Sequence, residues 1–305
     1  MKDLLLATVR GLLSLLSALY PPAAHRLAFR LFCRPAGRSR TRPVEEDMMK
    51  AAMRSHMDLD GQRVAIYRWG DGNRPVLLAH GWESRGARYA QLAERLLALG
   101  YSPVTFDAPA HGDSDGSTAT ILDYQRIMQT LNGEYGTFEA VVAHSFGVPC
   151  AFHAVKHGVA ARRIVAIAGV SDFEYLVDEF SRTLALTPPV VDQLRRNVEM
   201  LFAPLSDVWS RFSVTHGTDA LSQPVLFVHD RNDNVVRFAQ GLKSARHFAS
   251  RARLMATSGL GHHRILSDDS VLTAICDFIA QPTSHAGVAV HENAGPCMDA
   301  QLQGA

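Results

Sequence analysis

Apolar side chains recur at helical spacing through the first stretch of the chain. Leu5, Val9, Leu12, Leu16 and Leu19 follow one another at that spacing, and Arg10, Ser14 and Ser17 form a narrow polar strip beside them. Met1 to Phe32 is therefore predicted helical. Pro35 to Pro43, rich in Arg, Gly and Pro, reads as a linker, and Val44 to Met53 as a further short helix. The pattern then becomes regular. Short apolar runs at Arg63–Trp69, Pro75–His80, Pro103–Asp107, Phe138–Ala143 and Arg163–Val170 predict strands. Helical stretches at Ala87–Leu99, Thr120–Leu131 and Val148–Gly158 lie between them.

After Val170 the rhythm stops. Ser171 to His216 carries no strand pattern and is largely helical, with Phe173, Leu176, Phe180, Leu194, Phe202 and Trp209 among its apolar residues. The alternation resumes with a strand at Pro224–His229, a helix at Val236–His247, a strand at Arg253–Thr257 and a last helix at Leu266–Ala280. Strands alternating with helices imply βαβ units and a mostly parallel sheet. The insertion at about 171–216 reads as a cap over such a sheet. Gln281 to Ala305 is small, polar and rich in Gly and Ala, and a disordered tail is expected over 283–305. The division expected is thus an N-terminal segment over 1–50, one α/β domain over 51–282, and that tail.

Charge and cysteine content narrow the class. Lys and Arg number 31 against 30 Asp and Glu, a formal net charge of +1, which gives no electrostatic reason for a nucleic-acid partner. Cys33, Cys150, Cys276 and Cys297 form no CxxC pair. They read as free thiols in a reducing compartment, hence a cytoplasmic location, and not as a disulfide framework or metal site. Three readings compete for the N-terminal helix. It docks on the protein's own surface, which ranks first. It lies on a membrane surface, for which Arg26, Arg30, Arg34, Arg38, Arg40 and Arg42 speak. Or it is a secretory signal, which ranks last because Arg10 interrupts its apolar core and no clean small-x-small site follows. Arg10 and Pro21-Pro22 leave too short an apolar run for a spanning helix.

The chemistry starts at one turn. The predicted strand Phe138–Ala143 runs into His144-Ser145-Phe146-Gly147 and then into a helix. A serine at the tip of a strand–turn–helix is a nucleophile elbow, which exposes a weak nucleophile where a base can reach it. A serine needs a base, and the base an orienting acid. Two later strand ends supply candidates: Asp230 and Asp233 after one, His262 and His263 after the next. The order is serine, acid, histidine. A metal site built from His111, His144, His262 and His263 is a poor alternative, because no pair has preformed ligand spacing on one helix. No cofactor is called for.

These landmarks resemble those of the α/β-hydrolase superfamily over roughly Arg63 to Ala280. They are His80-Gly81 after an early strand, Asp107-x-x-x-His111-Gly112-x-Ser114 after the next, the Ser145 elbow, the late Asp233, and Gly259-Leu260-Gly261-His262. The resemblance implies an α/β-hydrolase fold, a mostly parallel sheet with helices on both faces and a helical cap. It implies Ser145 as nucleophile, His262 as general base and Asp233, over its rival Asp230, as the acid. It also implies backbone N–H groups of Trp82 and Phe146 as the oxyanion hole. His263 then packs, and the 107–114 turn is structural. Ala143 departs from the pattern by standing where the first Gly of G-x-S-x-G is usual. The activity implied is hydrolysis of a small or medium carboxylic ester with an apolar acyl or alcohol part. Thioesterase, lactonase, amidase and membrane-lipid lipase chemistry, carbon–carbon bond cleavage and a non-catalytic ligand-binding role are the alternatives.

Overall fold

The computed structural model describes residues 2–281, so the tail expected over 283–305 lies outside the described residues. One eight-stranded sheet runs through the molecule. Its strands are β1 (Met53–Leu59), β2 (Gln62–Arg68), β3 (Pro75–Ala79), β4 (Ser102–Phe106), β5 (Ala140–His144), β6 (Ile164–Ile167), β7 (Val225–Asp230) and β8 (Ala252–Thr257). Their spatial order is β1-β2-β4-β3-β5-β6-β7-β8. From β4 onward every pairing is parallel, and β1 and β2 add antiparallel at one edge.

The helices are α1 (Lys2–Leu19), α2 (Pro21–Phe32), α3 (Glu46–Ala51), α4 (Ala90–Ala98), α5 (Ile121–Tyr135), α6 (Gly147–Lys156), α7 (Tyr175–Leu184), α8 (Pro188–Leu201), α9 (Val208–Arg211), α10 (Phe238–Phe248), α11 (Gly261–Arg264) and α12 (Asp269–Ala280). The parallel strands are apolar on both faces, and alternate residues feed opposite layers. Leu77, Val141, Ala143, Ile164 and Phe227 face α5, α6 and α10. Val76, Leu78, Val142, Val165 and Val228 face α3, α4 and α12. Both cores are closed, with Leu77, Leu78, Val141 and Val142 fully buried.

The sequence reading needs three corrections here. Met53–Leu59 is a strand that the pattern did not show. It is mostly exposed and is held by a full antiparallel register with β2, from Met53 opposite Arg68 to Leu59 opposite Gln62. An edge strand packed on few neighbours carries no apolar alternation to read. The N-terminal helix is two helices, broken at Tyr20 because Pro21 and Pro22 open the second one. The segment Pro35–Pro43 is no free linker. Arg38 donates to the carbonyls of His111, Gly112, Ser114 and Gly116, and the Ala36 N–H donates to Glu83 Oε1 at 2.8 Å. Arg88 binds Glu45, the Ser39 hydroxyl and the Arg40 carbonyl. Together these bonds make the segment a strap drawn across the body.

Between β6 and β7 the chain makes the helical excursion α7–α9. Phe173, Phe202 and Phe212 form its centre, with ring centroids 5.0 Å apart for Phe173–Phe212 and 4.7 Å for Phe202–Phe212. Val177, Leu194 and Val198 are buried beside them. Most of the apolar side chains of this excursion therefore serve its own packing. The hairpin α1–α2 seats on it through Leu13, Ala24 and Ala28 against Leu184 and Val190.

Candidate active site

Ser145 stands immediately after β5 and before α6, in the centre of the sheet. Its φ is +55°, a left-handed conformation that costs a non-glycine residue about 1–2 kcal/mol. Bonds from the Ser145 N–H to the Ile167 carbonyl at 2.9 Å and from the Val148 N–H to the Ser145 carbonyl at 3.0 Å hold it there. Close packing requires glycine on one side: a Cβ on Gly147 would stand 2.6 Å from the Ala79 carbonyl oxygen. The other side tolerates a methyl. Ala143 is fully buried in register with Ala79 and Ala166, so small partners on both neighbouring strands supply the room that a glycine would have given.

The turns after β7 and β8 bring the acid and the histidine to the serine. The Ser145 Oγ lies 3.0 Å from His262 Nε2, and His262 Nδ1 donates to Asp233 Oδ2 at 2.7 Å. With the Nδ1 proton committed to the carboxylate, Nε2 is free to accept from the serine hydroxyl. Burial alone would raise the Asp233 carboxyl. The hydrogen bond and charge of His262, with the N–H groups of Val235 and Val236, outweigh it and hold the group below the usual carboxylate range.

Asp230 is not in that line. Its Oδ2 accepts from Thr257 Oγ1 at 2.7 Å and from the Leu260 N–H at 3.0 Å, and its Oδ1 from the Asn232 N–H at 2.9 Å. It ties the β7 turn, which carries Asp233, to the β8 turn, which carries His262. Two further histidines flank the pair; the sequence reading weighed His144 only as a poor metal ligand and gave His229 no role. His144 donates from Nε2 to the His262 carbonyl at 2.9 Å. His229 donates from Nε2 to the Val236 carbonyl at 2.8 Å, and the same nitrogen lies 3.5 Å from Asp233 Oδ2. Burial keeps both rings neutral: His144 is driven well below the ordinary imidazole value, by burial first and the nearby His262 second, and His229 is lowered by burial. A histidine inside a strand end gives no sequence signal of such a role. His263 packs 5.0 Å from His262, centroid to centroid, without entering the hydrogen-bonded line.

The loop after β3 closes over the elbow. A Cβ on Gly81 would lie 2.8 Å from Ser145 Cβ, so glycine is what lets Trp82 follow so near the serine. The Trp82 ring meets Phe146 edge-on at 5.7 Å and His111 at 5.1 Å. The 107–114 turn fixes this loop. Asp107 accepts from the Gly86 N–H at 2.8 Å, from Arg85 at 3.1 Å and from the Asp113 N–H at 2.8 Å. His111 accepts the Glu83 N–H at 3.1 Å, and the Ser114 hydroxyl accepts the Ala65 N–H at 2.8 Å. Side chains of the two turns thus set the backbone on which Trp82 sits. Among the described residues no group of three or more His, Cys, Asp or Glu side chains is arranged to hold a metal ion. Cys33, Cys150 and Cys276 are free thiols.

Comparison with known proteins gives the fold its context. Among solved structures, an esterase of Pyrococcus furiosus superposes with a TM-score of 0.59 at 19% identity, over 81% of this chain and 95% of that one. Mouse alpha/beta hydrolase domain-containing protein 10 gives 0.58 at 18% identity, over 75% and 97%. A monoacylglycerol lipase of Paleococcus ferrophilus gives 0.55 at 18%, over 71% and 98%. At such identities the likeness is one of fold. A search of curated proteins finds no match. The profile described as the Alpha/beta hydrolase family matches residues 76–295. With most of the chain inside that match, the protein belongs to the alpha/beta hydrolase family.

Proposed function

We propose that the protein is a serine hydrolase that transfers acyl groups from a carboxylic ester to water through an acyl-enzyme on Ser145. The observation that carries this reading is the continuous line from Ser145 Oγ to His262 Nε2 at 3.0 Å and from His262 Nδ1 to Asp233 Oδ2 at 2.7 Å. A binding module has no use for such a line. An acyl-transfer enzyme needs each link of it.

Ser145 Oγ attacks the ester carbonyl carbon as its proton passes to His262 Nε2. The imidazolium that forms is stabilised at Nδ1 by Asp233, whose depressed pKa keeps it ionised through the neutral range. The Trp82 and Phe146 N–H groups receive the charge developing on the carbonyl oxygen; the second belongs to the opening turn of α6, where N–H groups are not committed within the helix. The tetrahedral adduct collapses as His262 returns its proton to the leaving alcohol. Water then enters by the same route, with His262 as base, and the acid leaves Ser145. Trp82 and Phe146 make the surroundings of the nucleophile apolar, in keeping with an apolar acyl or alcohol group. Thioesters and lactones meet the same requirements at the reacting carbon.

A fluorophosphonate probe tests the reading. The folded wild-type protein should be labelled at Ser145 and turn over short p-nitrophenyl esters, and Ser145→Ala should do neither. Folded wild-type protein that takes no label would overturn it. A panel of esters, thioesters and lactones of graded acyl length then sets the substrate class.

A further inference from the structure

The helix α1 is apolar on two sides, and only one of them is covered. Leu6, Val9, Leu13 and Leu16 face the α7–α8 excursion. Leu4, Leu5, Leu12, Leu15 and Leu19 face away from the protein; Leu4 is 73% exposed, Leu5 63% and Leu19 74%, and Tyr20 continues the row at 56%. At about 100° per residue these five leucines and Thr8 fall within a single arc of roughly 100°. A surface helix ordinarily turns its polar strip to water. Here Arg10 donates to the Thr183 carbonyl at 2.8 Å and the Ser17 hydroxyl bonds Thr187 at 2.9 Å. Two of the helix's polar side chains are thus spent on the protein, and leucines are left outside.

The charge of this N-terminal segment is one-sided. Of the first 44 residues eight are Lys or Arg and one, Asp3, is acidic. The near-zero total for the chain therefore joins a basic N-terminal segment to an acidic remainder. Arg26, Arg30, Arg34 and Arg40 are exposed, and among the described residues none is paired with a carboxylate. Among the described residues no helix is long and apolar enough to cross a membrane. A leucine row on a short helix, with unpaired arginines on the next helix and strap, fits a bilayer interface carrying negative headgroups. A second copy of this chain would set one basic segment against another, so the charge opposes it.

We propose that the outward face of α1 lies in the surface of an anionic lipid bilayer, with the arginines of α2 and the strap on its headgroups. The observation carrying this is the uncovered leucine row on α1 together with the exposed, unpaired arginines of the segment that follows it. It does not depend on the proposed hydrolase chemistry, and Ser145→Ala protein should bind equally, so the two readings fail separately.

The test is flotation of the full chain with vesicles of phosphatidylcholine and phosphatidylglycerol, and with phosphatidylcholine alone. The wild type should float with the mixed vesicles and much less with the neutral ones, and added salt should release it. The triple substitution Leu5→Ser, Leu12→Ser and Leu19→Ser should weaken partitioning about tenfold or more. Arg26→Gln with Arg30→Gln should weaken it roughly tenfold on the mixed vesicles only. Both variants should keep the wild-type circular dichroism and turnover of soluble esters. Wild-type protein that never floats, or a folded triple variant that floats like wild type, overturns the proposal. So does a sedimentation-equilibrium dimer that the triple variant splits, which would assign the face to a second copy.

Discussion

Each residue in the line from Ser145 to Asp233 is set by backbone, and its neighbours do different work from their look in sequence. Asp230 and Asp233 sit three positions apart at one strand end, yet one accepts from His262 and the other from Thr257, Asn232 and Leu260. Asp233→Asn should lower kcat by roughly 10³–10⁴, since an amide cannot hold the imidazole in the tautomer that accepts the serine proton. Asp230→Asn should lower it far less, by about tenfold, and remove about 1–3 kcal/mol of stability through the two turns it joins. Steady-state kinetics and urea unfolding of both variants check this; the reverse ranking would make Asp230 the acid. The pH dependence of Asp233 has a definite sign. Its folded pKa lies below the ordinary 3.8, so its contribution to stability is present above that value and is lost as pH falls through the lower folded value. That Ser145, Asp233 and His262 come together was legible because each follows a strand end in a fixed order. His144 and His229 were not, because a histidine inside an apolar strand looks the same whether it packs or positions a neighbour.

The helix α6 begins beside Ser145 and ends at Lys156, which reaches the far end of the α7–α9 excursion. Its Nζ donates to the carbonyls of Ser213 at 3.1 Å and His216 at 2.8 Å. Burial pulls this amine from 10.5 down to about 8. The folded state therefore binds this proton less tightly than the unfolded chain. Relative to Lys156→Met, wild-type stability should rise between about pH 8 and 10.5, on the order of 1–3 kcal/mol. Chemical denaturation of both proteins across that window is the measurement; a flat difference would mean that the amine is solvated. At this scale the parallel strands were plain in sequence, since buried strands read as unbroken apolar runs bounded by Gly and Pro. The edge strand β1 was hidden because Arg54, Ser55, His56 and Asp58 give no alternation, and pairing with β2 decided its form instead.

For the molecule as a whole, the long excursion between β6 and β7 could be located from where strand patterning stops. Its substrate preference could not, since the same Phe and Leu side chains fill its interior. The N-terminal hairpin was legible as apolar helix, but which side meets the protein depends on contacts more than 170 positions away in the chain. The strap carries a practical consequence. It joins the hairpin to the two turns that shape the surroundings of Ser145, through Arg38 on the carbonyls of residues 111–116 and through the bond from Ala36 to Glu83, beside Trp82. In the full chain, Arg38→Met should lower kcat for soluble esters severalfold with the fold intact, measurable beside a control substitution at exposed Arg26. The same wiring means that trimming the chain to begin near Val44 is an allosteric perturbation as well as a deletion: it unclamps the Trp82 loop, so the catalytic rate of a shortened enzyme would report the missing clamp along with the missing helix.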